Sequence, residues 1–132
     1  MSQIRPLTPK ECVDLLAATP IGRLAFSEDA LPAIHPVNFF LHRGDIIVRA
    51  GGTGALDRLG HTVVALQADR IDKNSHIGWS VVAVGKATAI AAVDGPADLA
   101  PGARTRFLRI PIEIITGRLV RLIDDDPGAA AS

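Results

Sequence analysis

The 132-residue chain has room for one domain with a single modest core, and a second domain does not fit. Hydrophobic residues make up 48% of the chain and aromatic residues only 4%, so Val, Ile, Leu and Ala must form most of the core, which suits a sheet. Fourteen basic residues balance fourteen acidic ones, which argues against nucleic acid and an anionic membrane as partners. Apolar stretches are too short for a membrane helix and a single cysteine excludes an intrachain disulfide, so we expect a cytoplasmic protein.

The N-terminal residues predict one helix. Thr8 can cap it, Pro9 suits its first position, and Glu11 completes a capping box. The helix is expected to end near Pro20 and to lie at the edge of a larger structure. Cys12, within it, is interpreted as a packed thiol rather than a nucleophile.

From Ile21 onward the pattern indicates strands separated by turns. Four segments are rich in β-branched and aliphatic residues: IGRLAFS (21–27), LPAIHPVNFFL (31–41), DIIVRA (45–50) and TVVALQAD (62–69). Between the last two, GTGALDRLG (52–60) predicts a short internal helix with Thr53 as a possible cap.

Two further segments complete the predicted sheet. WSVVAVGKATAIAAV (79–93) is too long for a flat strand, and Gly85 within it predicts a bulge or sharp bend. Apolar residues alternate from Leu108 to Ile114, Pro111 argues for an edge or bulge there, and Gly117 offers another bend.

The elements together predict a mainly β fold: a six-stranded β-barrel with an N-terminal helix and one short internal helix. A β-sandwich is the structural alternative. We expect a single domain over residues 1–123 and a disordered tail over residues 124–132.

Common catalytic signatures are missing from the sequence, which contains no GxSxG, HExxH, CxxC or Walker lysine. Its four histidines, His35, His42, His61 and His76, lie in separate segments without the spacing of a metal site. These observations weigh against a hydrolase or a metalloenzyme.

The stretch IHPVNFF (34–40) combines polar residues and proline in a predicted strand. His35 and Val37 share one face of the strand and Pro36 and Asn38 the other, so neither face is uniformly apolar. Proline removes a ladder donor, and Asn38 offers both a donor and an acceptor. This favours a ligand site, and the alternative is an edge strand that ends at Pro36.

The stretch VRAGGTGAL (48–56) runs from a strand through glycines into a helix start. Such a turn gathers backbone N–H groups, and Arg49 and Thr53 could add side-chain contacts, which is typical of phosphate binding. The alternative is a flexible turn with a solvated arginine. Trp79, the single tryptophan, is either a core anchor or a flat wall for a planar ring.

Five segments in order resemble the pyridoxamine 5'-phosphate oxidase-like family of flavin-binding split barrels. They are GRLAF (22–26), PAIHPVNFF (32–40), IIVRAGGTGAL (46–56), VVALQADRID (63–72) and IGWSVVAVGKA (77–87). The closest likeness is to the actinobacterial flavin and deazaflavin oxidoreductases and the nitroimidazole-resistance reductases, and RIPIEIITGRLV (109–120) is similar to their closing strand. The resemblance implies a six-stranded split barrel that forms a homodimer, with the cofactor in a groove shared by two subunits.

The resemblance also implies the site residues. His35, Pro36, Val37 and Asn38 would pass along the flavin ring, and Trp79 and Ser80 would lie near the second subunit's side of the groove. The phosphate would be received by Arg49, Ala50, Gly51, Thr53 and Gly54. Relatives usually carry a lysine where this chain has Ala55, and Arg58, one helical turn further on, could compensate in part.

The function that the resemblance favours is an oxidoreductase that uses FMN to reduce or oxidise a small organic substrate. One alternative is a reductase that uses a deazaflavin coenzyme, with Arg58 and Lys86 as cations for its anionic tail. Another is a non-catalytic split-barrel dimer that binds haem or flavin, in which His35, His42 or His76 would ligate a haem.

Overall fold

Nine strands and two helices make up the fold, as seen in a computed structural model that describes residues 2–50, 54–90 and 106–122 and only the backbone of residues 55 and 57. The helices are α1 (Pro9–Ala17) and α2 (Gly54–Asp57). The strands are β1 (Ser2–Pro6), β2 (Ile21–Glu28), β3 (Leu31–His42), β4 (Asp45–Arg49), β5 (Val63–Ile71), β6 (Ile77–Lys86), β7 (Thr88–Ile90), β8 (Phe107–Pro111) and β9 (Ile114–Arg121). The predicted tail lies outside the described residues, and so do residues 91–93 of the long predicted strand.

Helix α1 begins with the predicted capping box. The hydroxyl of Thr8 accepts a hydrogen bond from the amide of Glu11 at 3.2 Å, and the carboxylate of Glu11 accepts one from the amide of Thr8 at 3.0 Å. The helix ends at Ala17, close to the expected end near Pro20. Cys12 is fully buried, and burial raises the pKa of its thiol, so the interpretation of a packed thiol is confirmed.

All strands pair antiparallel in the order β1-β9-β6-β5-β2-β3-β4-β8-β7. The β2–β3 hairpin turns at Asp29 and Ala30, whose φ angles of 51° and 65° are those of a two-residue hairpin loop. The β3–β4 hairpin turns in the same way at Arg43 and Gly44.

The prediction of six strands is wrong as a count, for two physical reasons. First, two predicted strands are each interrupted: β6 ends at Lys86 before β7 begins at Thr88, and β8 ends at Pro111 before β9 begins at Ile114. A Cβ atom on Gly85 would overlap the carbonyl oxygen of Pro111, so the backbones touch where the predicted bend occurs. The ladder is broken there and the nine-stranded sheet does not close.

Second, β1 was not predicted. All five of its residues are exposed, so it carries no alternation of apolar and polar side chains, and it is held by its ladder with β9. Gly117 of β9 does not bend its strand as expected. It remains in the ladder opposite Val81, and its lack of a side chain makes room for Cys12, whose sulfur would be 2.6 Å from a Cβ atom at Gly117.

The core occupies the inner face of the sheet and consists of aliphatic side chains with two phenylalanines at its periphery, Phe26 and Phe39. In the part of the chain that the structure describes, no polar or charged residue is buried. No helix within the same residues has the length and apolarity needed to cross a membrane.

Candidate functional site

Strand β3 changes partner halfway along its length. Residues 31–38 pair with β2, whereas residues 39–42 pair with β4. The last pair with β4 joins Phe39 and Val48, so Asn38 and Arg49, which come next in register, flank the point where the two strands diverge. Beyond it the chain follows β8, because the amide of Ala50 donates to the carbonyl of Arg106 at 2.9 Å. We call the resulting opening, between the free edge of residues 31–38 and residues 49–50, the β3–β4 cleft.

The free edge of β3 presents backbone groups that no described strand pairs. The amide of Phe39 donates to the carbonyl of Pro20 at 3.1 Å, so the amides and carbonyls of alternate residues before it point toward β2. The intervening residues direct theirs toward the cleft: Pro32, Ile34, Pro36 and Asn38. Both prolines thus occupy positions where β2 needs no donor, so Pro36 removes no bond from the β2–β3 ladder, unlike the expectation that it would remove a ladder donor.

The predicted ring-binding residues divide between two faces. His35 lies on the inner face, half-buried, with its ring 5.2 Å from the ring of Phe26. Val37 is also on the inner face and only 6% exposed. Of the four predicted ring-binding residues, Pro36 and Asn38 therefore present exposed side chains on the outer face beside the cleft, and His35 and Val37 do not.

The two arginines predicted for the phosphate have different surroundings. Arg49 is exposed, and none of the described residues forms an ion pair with it. Arg58 forms an ion pair with Glu28, at the end of β2. Because Glu28 is opposite Leu31 in the β2–β3 ladder, Arg49 and Arg58 mark opposite ends of the free edge.

The remaining predicted phosphate residues are only partly described. A Cβ atom on Gly54 would meet only the Arg58 guanidinium, at 3.5 Å, so the backbone at the start of α2 is open. The side chain of Ala50 is buried. Gly51 and Thr53 lie outside the described residues, as does the side chain of Ala55.

Trp79 and Ser80 are neighbours in β6, so their side chains lie on opposite faces of the sheet. Ser80 lines an outer groove of about 280 Å³ between β6 and β9. Trp79 packs partly against the core and lines a separate cavity of about 270 Å³ near the end of α1. Neither Asn38 nor Arg49 of the same chain lines either space.

The outer face of the sheet carries an apolar row, formed by residues that lie side by side across five strands. In order across the sheet these are Ile114, Val84, Ala65, Ala25 and Ile34. The two end residues, Ile114 and Ile34, are 59% and 67% exposed. Contiguous exposed apolar surface of this kind is typical of an interaction face.

A polar cluster lies beside the apolar row, and the sequence did not predict it. Gln67 accepts from Arg23 at 3.1 Å and donates to Asp69 at 2.9 Å and to Ser80 at 3.3 Å. Arg23 lies 3.7 Å from the carboxylate of Asp69. These residues point outward from neighbouring strands and lie opposite or diagonal to one another. Their proximity can be recognised only once the strand pairing is known. Elsewhere, the described ranges contain no group of three or more His, Cys, Asp or Glu residues that could hold a metal ion.

Comparison with known proteins supports the family that the motifs resemble. The family model described as pyridoxamine 5'-phosphate oxidase matches residues 8–119. An uncharacterized protein of Mycobacterium tuberculosis is 36% identical over 94 residues, which are 67% of this chain and 62% of that protein, so the match spans less than two thirds of the relative's length.

Among solved structures, the FAD binding protein from Mycobacterium smegmatis is 29% identical, with a TM-score of 0.70 over 89% of this chain and 98% of that one. A FAD-binding protein from Mesorhizobium loti shares the fold at 24% identity, with a TM-score of 0.70 over 88% of this chain and 97% of that one. The family model covers nearly all of the β3–β4 cleft and the sheet around it, and on that ground the chain belongs to the pyridoxamine 5'-phosphate oxidase family.

Proposed function

We propose that the chain is a flavin-dependent oxidoreductase that binds FMN in the β3–β4 cleft and uses it to reduce or oxidise a small organic substrate. The observation that carries the proposal is the divergence of β3 and β4 after the Phe39–Val48 pair. Among the described residues it leaves an edge of β3 that no strand pairs, with an arginine that forms no ion pair at one end, and these suit a ring with polar atoms and an anionic tail. The Mycobacterium smegmatis neighbour is named for FAD binding, which supports a flavin in this chain as well.

The donor set of the cleft fits a flavin phosphate in part. Arg49 supplies a cation that is not engaged elsewhere among the described residues. The open backbone at Gly54 lies beside Arg58, toward the other end of the free edge. Arg58 is held by Glu28, so it is a weaker replacement for the lysine that relatives carry near Ala55. A lost charge-assisted contact costs about 1.5 to 3 kcal/mol, so we expect FMN to bind one to two orders of magnitude less tightly than in a relative that keeps the lysine.

When bound, the flavin supplies the hydride or electron chemistry. This chain's own residues then have three tasks. Asn38 and the edge carbonyls and amides of β3 orient the ring, Arg49 binds the phosphate, and the side chain of Pro36 shields the ring from water. No side-chain acid or base is required, which agrees with the lack of catalytic signatures in the sequence.

A homodimer follows from the same proposal. The apolar row exposes isoleucines at both of its ends, and packing the outer faces of two copies together would remove them from water. Such packing would bring a second wall to the cleft, as the family resemblance implies. Of the two residues expected there, Ser80 lies on the outer face, whereas Trp79 packs against the core on the inner face. A small-molecule substrate would then approach the ring from the side that the partner leaves open.

Flavin titration of the purified full-length protein tests both parts of the proposal. FMN, FAD and a deazaflavin coenzyme are titrated separately, with flavin fluorescence as the readout and the mass in solution measured by sedimentation. We expect saturable binding of one FMN per chain in a dimer. The variant Ile114→Asp should be monomeric and should bind FMN more weakly, while a matched substitution on the helix face, Asp14→Asn, should change neither property. A monomer that binds flavin normally would contradict the shared groove, and no saturable binding of any of the three would contradict the proposed function.

The deazaflavin and non-catalytic alternatives receive less support. Arg58, one of the two cations expected for a deazaflavin tail, is paired with Glu28, and His35, a candidate haem ligand, is packed beside Phe26. Turnover decides between an enzyme and a binding protein: FMN-loaded dimer that neither accepts nor donates electrons with any small oxidant or reductant would be a binding protein.

A further inference from the structure

The cavity that Trp79 lines has a composition suited to a ligand. It lies where α1 ends and β2 begins and has a volume of about 270 Å³. Arg70 and Trp79 are direct partners in the β5–β6 ladder, so their side chains leave the same face of the sheet about 5 Å apart at Cβ. The indole is half-buried and the guanidinium exposed, so the cavity combines a flat apolar wall with a cation at its mouth.

The uncompensated charge in this cavity is positive. None of the described residues forms an ion pair with Arg70. Asp69 also lines the cavity, but its carboxylate accepts from Gln67 at 2.9 Å and lies 3.7 Å from Arg23. Asp69 is therefore already balanced, whereas Arg70 is not.

The end of α1 opposes this charge only weakly. The carbonyls of Leu15 and Leu16 accept hydrogen bonds from the amides of Ala18 and Thr19, so the last turn is largely satisfied. The partial negative charge at a helix C-terminus is about half an elementary charge, less than the full charge of a guanidinium. The cavity therefore favours an anion.

We propose that the cavity binds a small aromatic carboxylate, with its ring against Trp79 and its carboxylate on Arg70. A guanidinium presents two parallel N–H groups that match a carboxylate. The volume is below the range of about 300 to 1,000 Å³ that is typical of cofactor and drug-sized ligands, so a ligand with one ring fits and a flavin does not.

Strand β3 separates the cavity from the β3–β4 cleft. Ile21, in the cavity wall, is the ladder partner of Asn38, and the carbonyl of Pro20 accepts from the amide of Phe39. The role of the bound ligand rests on the proposed function: if a flavin ring lies beside Asn38, the aromatic carboxylate is its substrate or a competitor of that substrate. Binding of the carboxylate itself does not depend on flavin.

Trp79 provides the readout for a direct test. It is the only tryptophan of the chain, which contains no tyrosine, so tryptophan fluorescence reports on this cavity alone. The full-length protein is titrated with benzoate and, as a neutral match of the same shape, with benzamide. We expect a saturable change with benzoate and at least about fivefold weaker binding of benzamide, since the contact with Arg70 is partly exposed.

Two substitutions assign the effect to Arg70. In Arg70→Gln the affinity for benzoate should fall to the affinity for benzamide. Arg70→Lys keeps the charge but loses the two parallel N–H donors, so its affinity for benzoate should be intermediate. Arg109→Gln removes one charge from β8 and should leave both affinities unchanged. Far-ultraviolet circular dichroism shows whether each variant is folded, and if Arg70→Gln is not, the comparison of benzoate with benzamide in the wild type and in Arg70→Lys decides.

Equal affinity for the two probes, or benzoate binding unaffected by the change at Arg70, would overturn the proposal. Tighter binding of benzylamine than of benzoate would also overturn it, because Asp69 and the end of α1 would then dominate. Flavin binding without any response to benzoate would remove this proposal alone. A benzoate response without flavin binding would leave the cavity assignment in place and remove the proposed function.

Discussion

Two of the irregular places in the described sheet differ in how the backbones meet. At the first, which we call the seam (Gly85–Ala87 and Pro111–Glu113), the backbones touch and leave no space for a side chain at Gly85. At the second, the β3–β4 cleft, the backbones separate after the Phe39–Val48 pair and leave an edge unpaired. Glycine and proline mark both places in the sequence, so these residues indicate an irregularity without saying whether the sheet closes or opens there.

Because the seam is buried and the cleft is exposed, we expect the seam to determine stability and the cleft to determine ligand binding. The seam is surrounded by the core, since the neighbouring residues Ala83, Ala87 and Ile110 are fully buried, and a defect there disturbs packing. The cleft is bordered by exposed residues such as Asn38 and Arg49, so its side chains can change with little effect on the core. We therefore expect substitutions at the seam to change the free energy of unfolding and substitutions at the cleft to change ligand affinity.

The largest effect is expected at the seam. In Gly85→Ala the new methyl group would overlap the carbonyl of Pro111, and because backbone rather than a flexible side chain is in the way, the strands must move apart. We expect the free energy of unfolding, measured by urea denaturation, to fall by about 3 kcal/mol. Gly60→Ala is the control: its Cβ atom would have nothing within 4 Å, so the change should be under about 1 kcal/mol. If the free energy of unfolding falls equally in Gly85→Ala and Gly60→Ala, the close contact between Gly85 and Pro111 does not contribute to stability.

The next effect is expected in the cleft. Arg49→Gln should raise the dissociation constant of FMN at least about tenfold, because it removes a charge-assisted contact, while the unfolding midpoint stays the same. Arg58→Gln should have a smaller effect on FMN, since Arg58 is already paired with Glu28. Flavin fluorescence titration measures both. The opposite ranking would mean that phosphate displaces Glu28 and takes Arg58 as its main cation.

Local signals predicted most of the fold, and distant partners account for the errors. The capping box at Thr8 depends on nearby residues and was found. The break in the long predicted strand was expected from its length and occurs at Ala87, two residues after Gly85, which itself stays in the ladder. Gly117 was expected to bend β9, but it is small because Cys12, more than a hundred residues earlier in the chain, packs against it. Strand β1 is formed only because β9 offers it an edge.

The same distinction applies to the site. The pattern of IHPVNFF predicted a ligand site, with an edge strand ending at Pro36 as the alternative. The structure has a free edge at residues 31–38, but the strand continues through Pro36 to His42. The pairing of Arg58 with Glu28 joins residues thirty positions apart, which no local pattern indicates. The opposite directions of Trp79 and Ser80 follow from the two-residue period of a strand, so the separation of this predicted pair is a consequence of the sequence itself.

A smaller effect is expected at the hairpin that leads into the free edge. Ala30 has a φ of 65°, a conformation that costs an alanine about 1 kcal/mol and a glycine almost nothing. Ala30→Gly should therefore stabilise the protein by about 0.5 kcal/mol, after the greater entropy of glycine in the unfolded chain is subtracted. Ala25→Gly, in the middle of β2, should destabilise it by a similar amount. Thermal or urea unfolding measures both, and a loss of stability in Ala30→Gly would show that the turn does not hold this conformation in solution.

The smallest effect is expected where α1 and β1 cover β9. The carboxylate of Glu11 accepts hydrogen bonds from Arg5 at 3.0 and 2.9 Å and from the amide of Thr8, and these contacts, that with Arg5 foremost, lower the pKa of Glu11 to about 2. A carboxyl group that is more acidic in the folded chain stabilises it above the unfolded pKa, near 4.5, and this stabilisation is lost as the pH falls toward 2.

Urea midpoints of the wild type and Glu11→Gln should therefore differ at neutral pH and converge near pH 2. Added salt should reduce the difference between the two urea midpoints at neutral pH, because the ion pair of Arg5 and Glu11 is exposed to solvent. Glu113→Gln, an exposed residue whose side chain forms no ion pair with the described residues, is the control and should follow the wild type throughout. If the urea midpoints of the wild type and Glu11→Gln still differ near pH 2, the hydrogen-bond geometry of the capping box rather than the charge of Glu11 stabilises α1 against the sheet.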